Sequence, residues 1–542
     1  MRIYSSLLAA LWILSSVGYA QTRAGGDQIS GGDAVRMAAI VMNTWKEDDE
    51  SKAPRWTYEE GVVWKGLESC WYNTGDARYY KYIQHFMDRL VDKEGSILYG
   101  KQLLLLYKVS NQEKYYKAAQ LLRHQLQEQP HTAEGLYMAQ PFYAEWAATF
   151  HEDSAFNDIA RQLVQAERPT RDIKTVRVMG WYGMALVDVL DYFPVNHPER
   201  KQLLAILNRY AAAVAKVQDP DVSASCMFVY ALEKGVRMGW LPMSYRAVAK
   251  KGYAGVLGKG TDAISRLGGE AIGAFLLAAG EMEQLSTLRL GKNRTVLLDY
   301  YFNNEHKKDI TGTNVRYHYT WEDQANSGFS FWGSVFRRHG LHTDSLAVAP
   351  TAERLRKAAV YIIVDPDNEK ESPAPNYPSP TDIQAIYDWV RAGGVLLLMS
   401  NDSANAEFLH FNKLASTFGI HFNLDDRNKV MGDNYEQGAF IMTGQDGIFK
   451  TTHKVYIKEL STLRLSEPAR ARYSVPKIGD GGDKTPDVIM ATARIGKGTV
   501  FAVGDPWFYN EYLDGRKLPA EYENFNAAND LVKWIIAEIN TL

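Results

Sequence analysis

The sequence predicts two parts: an all-α ring of helical hairpins, an (α/α)6 toroid, over residues 21–290, and an α/β flavodoxin-like domain over residues 293–542. Three observations carry this. From about Gly32 to Met282 apolar residues recur at helical spacing with few β-branched runs, in roughly a dozen stretches. Within them Asn73-Thr74-Gly75-Asp76-Ala77-Arg78-Tyr79-Tyr80-Lys81 is echoed by Ser110-Asn111-Gln112-Glu113-Lys114-Tyr115-Tyr116-Lys117, with a period of 36 residues from Tyr79 to Tyr115. After Lys292 the helical period gives way to short continuous apolar runs, the pattern of strands buried on both faces of a parallel sheet. A chain of 542 residues is also too long for one hydrophobic core.

Taken in order, the first twenty residues read as a secretory signal peptide. Arg2 precedes an apolar run from Leu7 to Val17, and Gly18 and Ala20 set a cut before Gln21. That predicts a secreted or periplasmic protein with no membrane insertion after cleavage. In the helical part each echoed copy follows an apolar helix (Val62 to Trp71; Leu103 to Val109) and opens another, so the unit is a hairpin with a polar turn. Stacked hairpins either close into a ring or form an open solenoid. The Trp-x-x-Leu-Gly consensus of tetratricopeptide repeats is absent and the unit drifts in length, which favours the ring. Asn293-Arg294 marks the boundary. Beyond it Val296 to Leu298, Val360 to Val364, Val395 to Met399 and Val500 to Val503 are strands, alternating with helices over Phe331 to His339, Pro380 to Ala392 and Asn405 to Phe418. A last helix covers Asn526 to Ile539, and the Pro-rich stretch Ser372 to Pro380 is a loop.

Composition narrows the function. A formal net charge of −3 gives no footprint for nucleic acid or an anionic membrane. Cys70 and Cys226 are the only cysteines, so there is no disulfide framework, and both read as small buried hydrophobes, with a single bridge as the alternative. Gly496-Lys497-Gly498-Thr499 is a turn between strands, since the upstream Gly and following helix of a phosphate loop are missing. Gly328-Phe329-Ser330-Phe331-Trp332 lacks the closing Gly of a nucleophile elbow. His318 and Glu322 would share a helix face, but two ligands fall short of a metal site, so no metal and no cofactor is expected. Asp505-Pro506-Trp507-Phe508 follows a strand, where open α/β sheets bind ligands.

Two segments carry chemistry. Glu134-Gly135-Leu136-Tyr137-Met138-Ala139-Gln140-Pro141-Phe142-Tyr143 and Arg177-Val178-Met179-Gly180-Trp181-Tyr182-Gly183 each set polar and aromatic residues at the start of an apolar helical run, which suits a sugar cleft built from helix ends. Arg177 and Trp181 lie four apart and share a helix face. Arg clamps a carboxylate bidentately and Trp stacks on a sugar ring, the two needs of a uronic acid subsite, while an interhelical salt bridge beside a core Trp is the other reading. For Glu134 the other reading is a helix N-terminal carboxylate favoured by the macrodipole. Together these segments resemble the unsaturated rhamnogalacturonyl/glucuronyl hydrolases, of the glycoside hydrolase family 105 kind. The C-terminal part resembles glutamine-amidotransferase-like (DUF4350-like) modules, here with no Cys after residue 226 and hence no thiol nucleophile.

The resemblance implies a helical toroid acting on an oligosaccharide substrate. The family's acid/base aspartate directly precedes Gly-Leu-Tyr-Met, where this chain has Glu134, one methylene longer. In the family this residue protonates C4 of a 4,5-unsaturated uronic acid and then directs water to C5. Arg177, Trp181 and Tyr58 occupy substrate-binding positions. The chain departs from the family pattern in its connections. Gly95-Ser96-Ile97-Leu98-Tyr99 runs straight into Gly100-Lys101-Gln102-Leu103, Gln129 to Ala133 abuts Glu134, and only Val176 separates Asp172-Ile173-Lys174-Thr175 from Arg177. These shortened connections leave open a second reading, a catalytically degenerate carbohydrate-binding or scaffold protein on the same fold.

Overall fold

The computed structural model describes residues 32–45, 58–91, 99–126, 133–170, 176–284, 291–402, 404–444, 447–477 and 485–540; for Ala133, Glu134, 168–170 and Asn540 the description covers the backbone alone. The signal-peptide reading lies outside these residues. No described helix is long and apolar enough to cross a membrane.

The first part is helical throughout: α1 (Asp33–Thr44), α2 (Tyr58–Thr74), α3 (Ala77–Val91), α4 (Gly100–Ser110), α5 (Glu113–Gln125), α6 (Ala133–Thr149), α7 (Ala155–Thr170), α8 (Val176–Leu190), α9 (Arg200–Val214), α10 (Val222–Arg237), α11 (Tyr245–Leu257), the short α12 (Thr261–Ser265) and α13 (Gly269–Gln284). Helices α4, α6, α8, α10, α13 and α2 pack in that succession, and α2 also touches α6, bringing the line back on itself. This inner set is buried nearly all round: in α8 every residue from Met179 to Leu190 is buried, as is every residue of α10 from Ser223 to Val236. The outer helices α3 and α7 are instead amphipathic, with one buried stripe. The 36-residue echo is the turn from inner to outer helix. Gly75 at φ 67° follows α2, and Asn111 at φ 55° follows α4. Left-handed backbone is what ends a helix this way, and Gly and Asn are the residues that adopt it readily.

Strand β1 (Thr295–Asp299) opens the second part. After it come the hairpin β2 (His306–Lys308) and β3 (Asn314–Arg316), α14 (Ser330–Arg338), β4 (His342–Leu346), α15 (Ala352–Leu355), β5 (Ala358–Val364), α16 (Pro380–Ala392), β6 (Val395–Met399), α17 (Phe408–Ser416), β7 (Ile420–Phe422), β8 (Ala439–Met442), β9 (His453–Tyr456), β10 (Leu463–Leu465), β11 (Ala469–Val475), β12 (Asp487–Ile495), β13 (Gly498–Val503), α18 (Asn510–Leu513) and α19 (Asn524–Asn540). One mixed nine-stranded sheet runs β4-β1-β5-β6-β13-β12-β10-β7, with β11 also paired to β12. The first five of these strands are parallel to one another; β12 is antiparallel to β13.

Alternation within the apolar runs explains how the two parts join. Val360 and Ile362 belong to a core continuous with the helical ring, while Tyr361 and Ile363 face a second core closed by Ile386, Val390 and Phe411 of α16 and α17. Helix α16 begins with a capping box, Ser379 and Asp382 exchanging hydrogen bonds with each other's backbone around Pro380. The ring is stitched to this domain at the first echoed turn. Trp71 Nε1 donates to the Asp514 carbonyl at 2.8 Å, Arg338 Nη1 to the Asn73 carbonyl at 2.5 Å, and the Tyr72 ring stacks on Phe331 at 5.1 Å.

Candidate functional site

The inner helices bring their first turns together at one end of the ring, here called the upper end. Tyr58, first residue of α2, sets its ring edge-on to Trp181 of α8 at 5.9 Å, and the Tyr137 ring of α6 lies 5.1 Å from the same indole. Arg177 in the first turn of α8 pairs with Glu270 at the start of α13, Nε to Oε1 2.8 Å. Glu134 opens α6 one turn before Tyr137; its side chain lies outside the described residues. Tyr58, Arg177, Trp181 and the backbone of Glu134 thus share the upper end. Trp181 is fully buried, with Tyr58 and Tyr137 against it, whereas the Arg177 side chain is 55% exposed.

Sequence reasoning missed Glu270. It is 3% exposed, and burial pushes its carboxyl pKa up while Arg177 and Ser223 act against that shift and Glu59 reinforces it. The available signal was a lone acid after Gly268-Gly269 opening the last inner helix. The upper end therefore presents the exposed Arg177 guanidinium and the half-buried Tyr58 ring, backed by a buried carboxyl with raised pKa, a buried tyrosine and a buried indole; the structure does not leave Trp181 free to stack on a sugar ring as the sequence suggests, because Tyr58 and Tyr137 cover it.

Below it, along the axis, the same helices carry a second and denser set of charges. Asp188 of α8, fully buried, accepts from Lys65 of α2, from Lys234 of α10 at 2.7 Å and from the Tyr230 hydroxyl at 2.6 Å. Lys234 also reaches Asp191 at 2.5 Å. Glu145 of α6 takes Lys101 and Lys108 of α4 at 2.8 and 2.7 Å, and Arg237 grips Glu281 through two contacts of 2.6 Å. Burial pulls the Lys65 ammonium down to about 8 against the attraction of Asp188, with Lys101 and Lys234 adding to the fall. Burial alone would raise Glu145, but Lys101 and Lys108 outweigh it and hold the carboxyl at about 2. These charges are committed to one another and serve architecture.

No helix spans residues 318–322: His318 and Tyr319 adopt φ of 64° and 53°, His318 Nδ1 sits 2.6 Å from Glu305, and Glu322 accepts from the Tyr300 hydroxyl at 2.5 Å, so the shared helix face does not exist. The short polar loop breaks there because two successive left-handed residues cannot continue a helix. Gly496 and Lys497 do form the turn between β12 and β13. Cys70 and Cys226 are both buried and unbridged. Asp505, two residues beyond the end of β13, is buried, its carboxyl accepting from the Lys458 backbone at 3.2 Å, and burial drives its pKa well up. Among the described residues no cluster of three or more His, Cys, Asp or Glu is arranged to hold a metal.

With this geometry in view, the profile of Glycosyl Hydrolase Family 88 matches residues 34–176 and 176–274, which contain the upper-end residues and the axial charges other than Glu281. The match spans less than half of the chain and falls wholly in its helical part. Among solved structures, the chain is similar to a C. acetobutylicum glycoside hydrolase from family 105, at 26% identity over 46% of this chain and 98% of that one, with a TM-score of 0.39. It is also similar to a glycosyl hydrolase family 88 protein from Bacteroides vulgatus, at 15% identity over 46% and 98% of the two chains, with a TM-score of 0.40. The family match supports a glycoside hydrolase.

Proposed function

We propose that the helical ring hydrolyses 4,5-unsaturated uronic acid residues at the non-reducing end of pectin-derived rhamnogalacturonan or glucuronyl oligosaccharides, by hydration of the alkene. The observation that carries this reading is the meeting of Tyr58, Arg177, Trp181 and the start of α6 at one end of the ring, inside the region matched by the family profile. Glu134 is the acid/base. Its carboxylic acid gives a proton to C4; as carboxylate it then takes a proton from the water that attacks C5, so that one water is added across the double bond. The resulting hemiketal opens and releases the neighbouring sugar as its alcohol. One group that alternates between acid and base works best with a pKa near the operating pH. Arg177 moves from Glu270 to the substrate carboxylate, Tyr58 covers the ring, and Trp181 supports Tyr58 from beneath.

The second reading, a carbohydrate-binding or scaffold protein, is favoured by two specific observations: the Trp181 ring is already buried, and Arg177 already has a carboxylate partner. Following the loss of alkene absorbance on pectin-lyase and glucuronan-lyase products separates the two. Turnover that depends on Glu134 supports the hydrolase; binding without turnover supports the scaffold. For the second domain we infer a flavodoxin-like accessory module. Numbered among themselves, its parallel strands run 2-1-3-4-5, the order of that fold. Secretion or periplasmic export completes the reading, from the apolar leader before Gln21.

A further inference from the structure

At the lower end of the ring, where the inner helices finish, a cavity of about 1450 Å³ opens between the two domains. It is bounded by the last turns of the inner helices on one side and by the β2–β3 hairpin, residues 321–324 and α14 on the other. Arg177 and Leu190, at opposite ends of α8, are separated by about 20 Å at the helical rise, so this cavity is distinct from the upper end. Its volume exceeds the range of pockets for single small ligands, about 300–1,000 Å³, and suits an extended one.

The lining is cationic, with nine Lys and Arg against five Asp and Glu, in a chain whose net charge is −3. Some of these cations are spent: Lys108, Lys234 and Arg237 pair with Glu145, Asp188 and Glu281. Two are not. Arg337 donates to the Thr343 hydroxyl at 3.1 Å, and Arg316 to the Tyr300 and Asn303 carbonyls at 2.9 and 3.4 Å; among the described residues neither has a carboxylate within ion-pair distance. Burial pushes both guanidinium pKa values down, with Arg237 adding to the effect on Arg337, so each charge is held at a cost that an anion would relieve. Half-buried aromatic rings, Tyr192, Trp240 and Tyr317, line the same walls. Carboxylates carried on a chain of sugar rings suit both the guanidiniums and the aromatic faces of this lining.

We propose that this interdomain cavity is a second saccharide site, one that binds carboxylated oligosaccharides through Arg337 and Arg316 without acting on them. The site does not depend on the hydrolase reading of the upper end. Titration calorimetry on the full chain tests it with a saturated trigalacturonate, which lacks the alkene, beside neutral maltotriose and inorganic phosphate. In an Arg177→Ala background, which weakens the upper end, trigalacturonate binding should persist. Adding Arg337→Gln or Arg316→Gln should weaken it by about tenfold or more, the effect of losing about 1.4 kcal/mol. Thermal unfolding certifies each variant, and Arg316→Gln decides the matter if Arg337→Gln does not fold. Binding abolished by Arg177→Ala, binding unaffected in both cavity variants, equal affinity for maltotriose, or competition by phosphate at the same concentrations would each overturn the site.

Discussion

The upper end of the ring and its axis are built from the same helices, yet they use charge in opposite ways. Along the axis Asp188, Glu145 and Glu281 are each gripped by basic side chains, two apiece for the first pair and a bidentate guanidinium for the third. At the upper end Arg177 is more than half exposed and holds a single carboxylate whose pKa burial has raised. Charge that is fully paired fixes the spacing of helices; charge that is lightly paired is available to a ligand. The difference teaches where in a helical ring chemistry is to be sought, since counting ionisable residues alone points to the axis.

The largest expected effect falls at the upper end. Glu134→Gln should reduce alkene hydration by roughly 10²–10⁴-fold, the usual contribution of a positioned acid/base, while an unsaturated disaccharide still binds. Alkene absorbance and calorimetry read the two quantities, and retained turnover would remove Glu134 from the reaction. Next comes the axis. Asp188→Ala leaves Lys65 and Lys234 facing each other without their shared anion and should lower stability by about 3–5 kcal/mol in urea unfolding. A loss under 1 kcal/mol would mean that water or other partners satisfy these lysines and that the contrast between end and axis is false.

Arg177→Ala should have a smaller effect, because the side chain exchanges one carboxylate for another on binding. We expect a loss of about 1.5–3 kcal/mol in affinity for an unsaturated uronide, the range for hydrogen bonds to charged groups, with stability unchanged. The reverse outcome, stability lost and affinity kept, would assign Arg177 to architecture. The smallest effect concerns Glu233 on α10, which is fully buried, has no hydrogen bond to either carboxylate oxygen among the described residues and lies 4.0 Å from Arg246. Burial raises its pKa to about 7, against Arg246 and with help from Glu281. Between its ordinary range and pH 7 the folded state holds the proton more tightly than the unfolded chain, so stability falls as pH rises through that window. Glu233→Gln should therefore gain about 1–3 kcal/mol at pH 8 and nothing at pH 4; equal unfolding midpoints at pH 8 would show that the carboxylate is solvated.

Periodicity made most of the ring legible. Helices α2 to α5 follow from apolar spacing and from the echoed turn, whose Gly75 and Asn111 are both left-handed. Strands β1, β5, β6 and β13 were legible because both of their faces are buried, which leaves unbroken apolar runs. Strand β4, His-Thr-Asp-Ser-Leu at the sheet edge, has no such run, and in β12 the apolar run is broken by Thr492 and Arg494. Tyr58, Arg177 and Trp181 could be singled out because helix starts have recognisable sequences. The axial pairs could not. Lys65, Lys101 and Asp188 sit on helices apolar nearly all round, and nothing local to the sequence says that a charged position faces five other helices instead of water.

The turn at Gly75 has a consequence for inheritance. A Cβ there would meet the Leu513 carbonyl at 2.7 Å and the Phe525 ring, and a Cβ on Gly515 would meet the Gly75 carbonyl at 2.4 Å, so the two backbones touch where a side chain on either would part them. The first copy of the repeat turn has become one half of a keyed joint. Substitution at Gly75 is constrained by a partner more than 400 positions downstream, and exchanging either half for that of a relative without the matching glycine would open the joint over Trp71 and Tyr72. The halves of this gene are expected to travel and to change together.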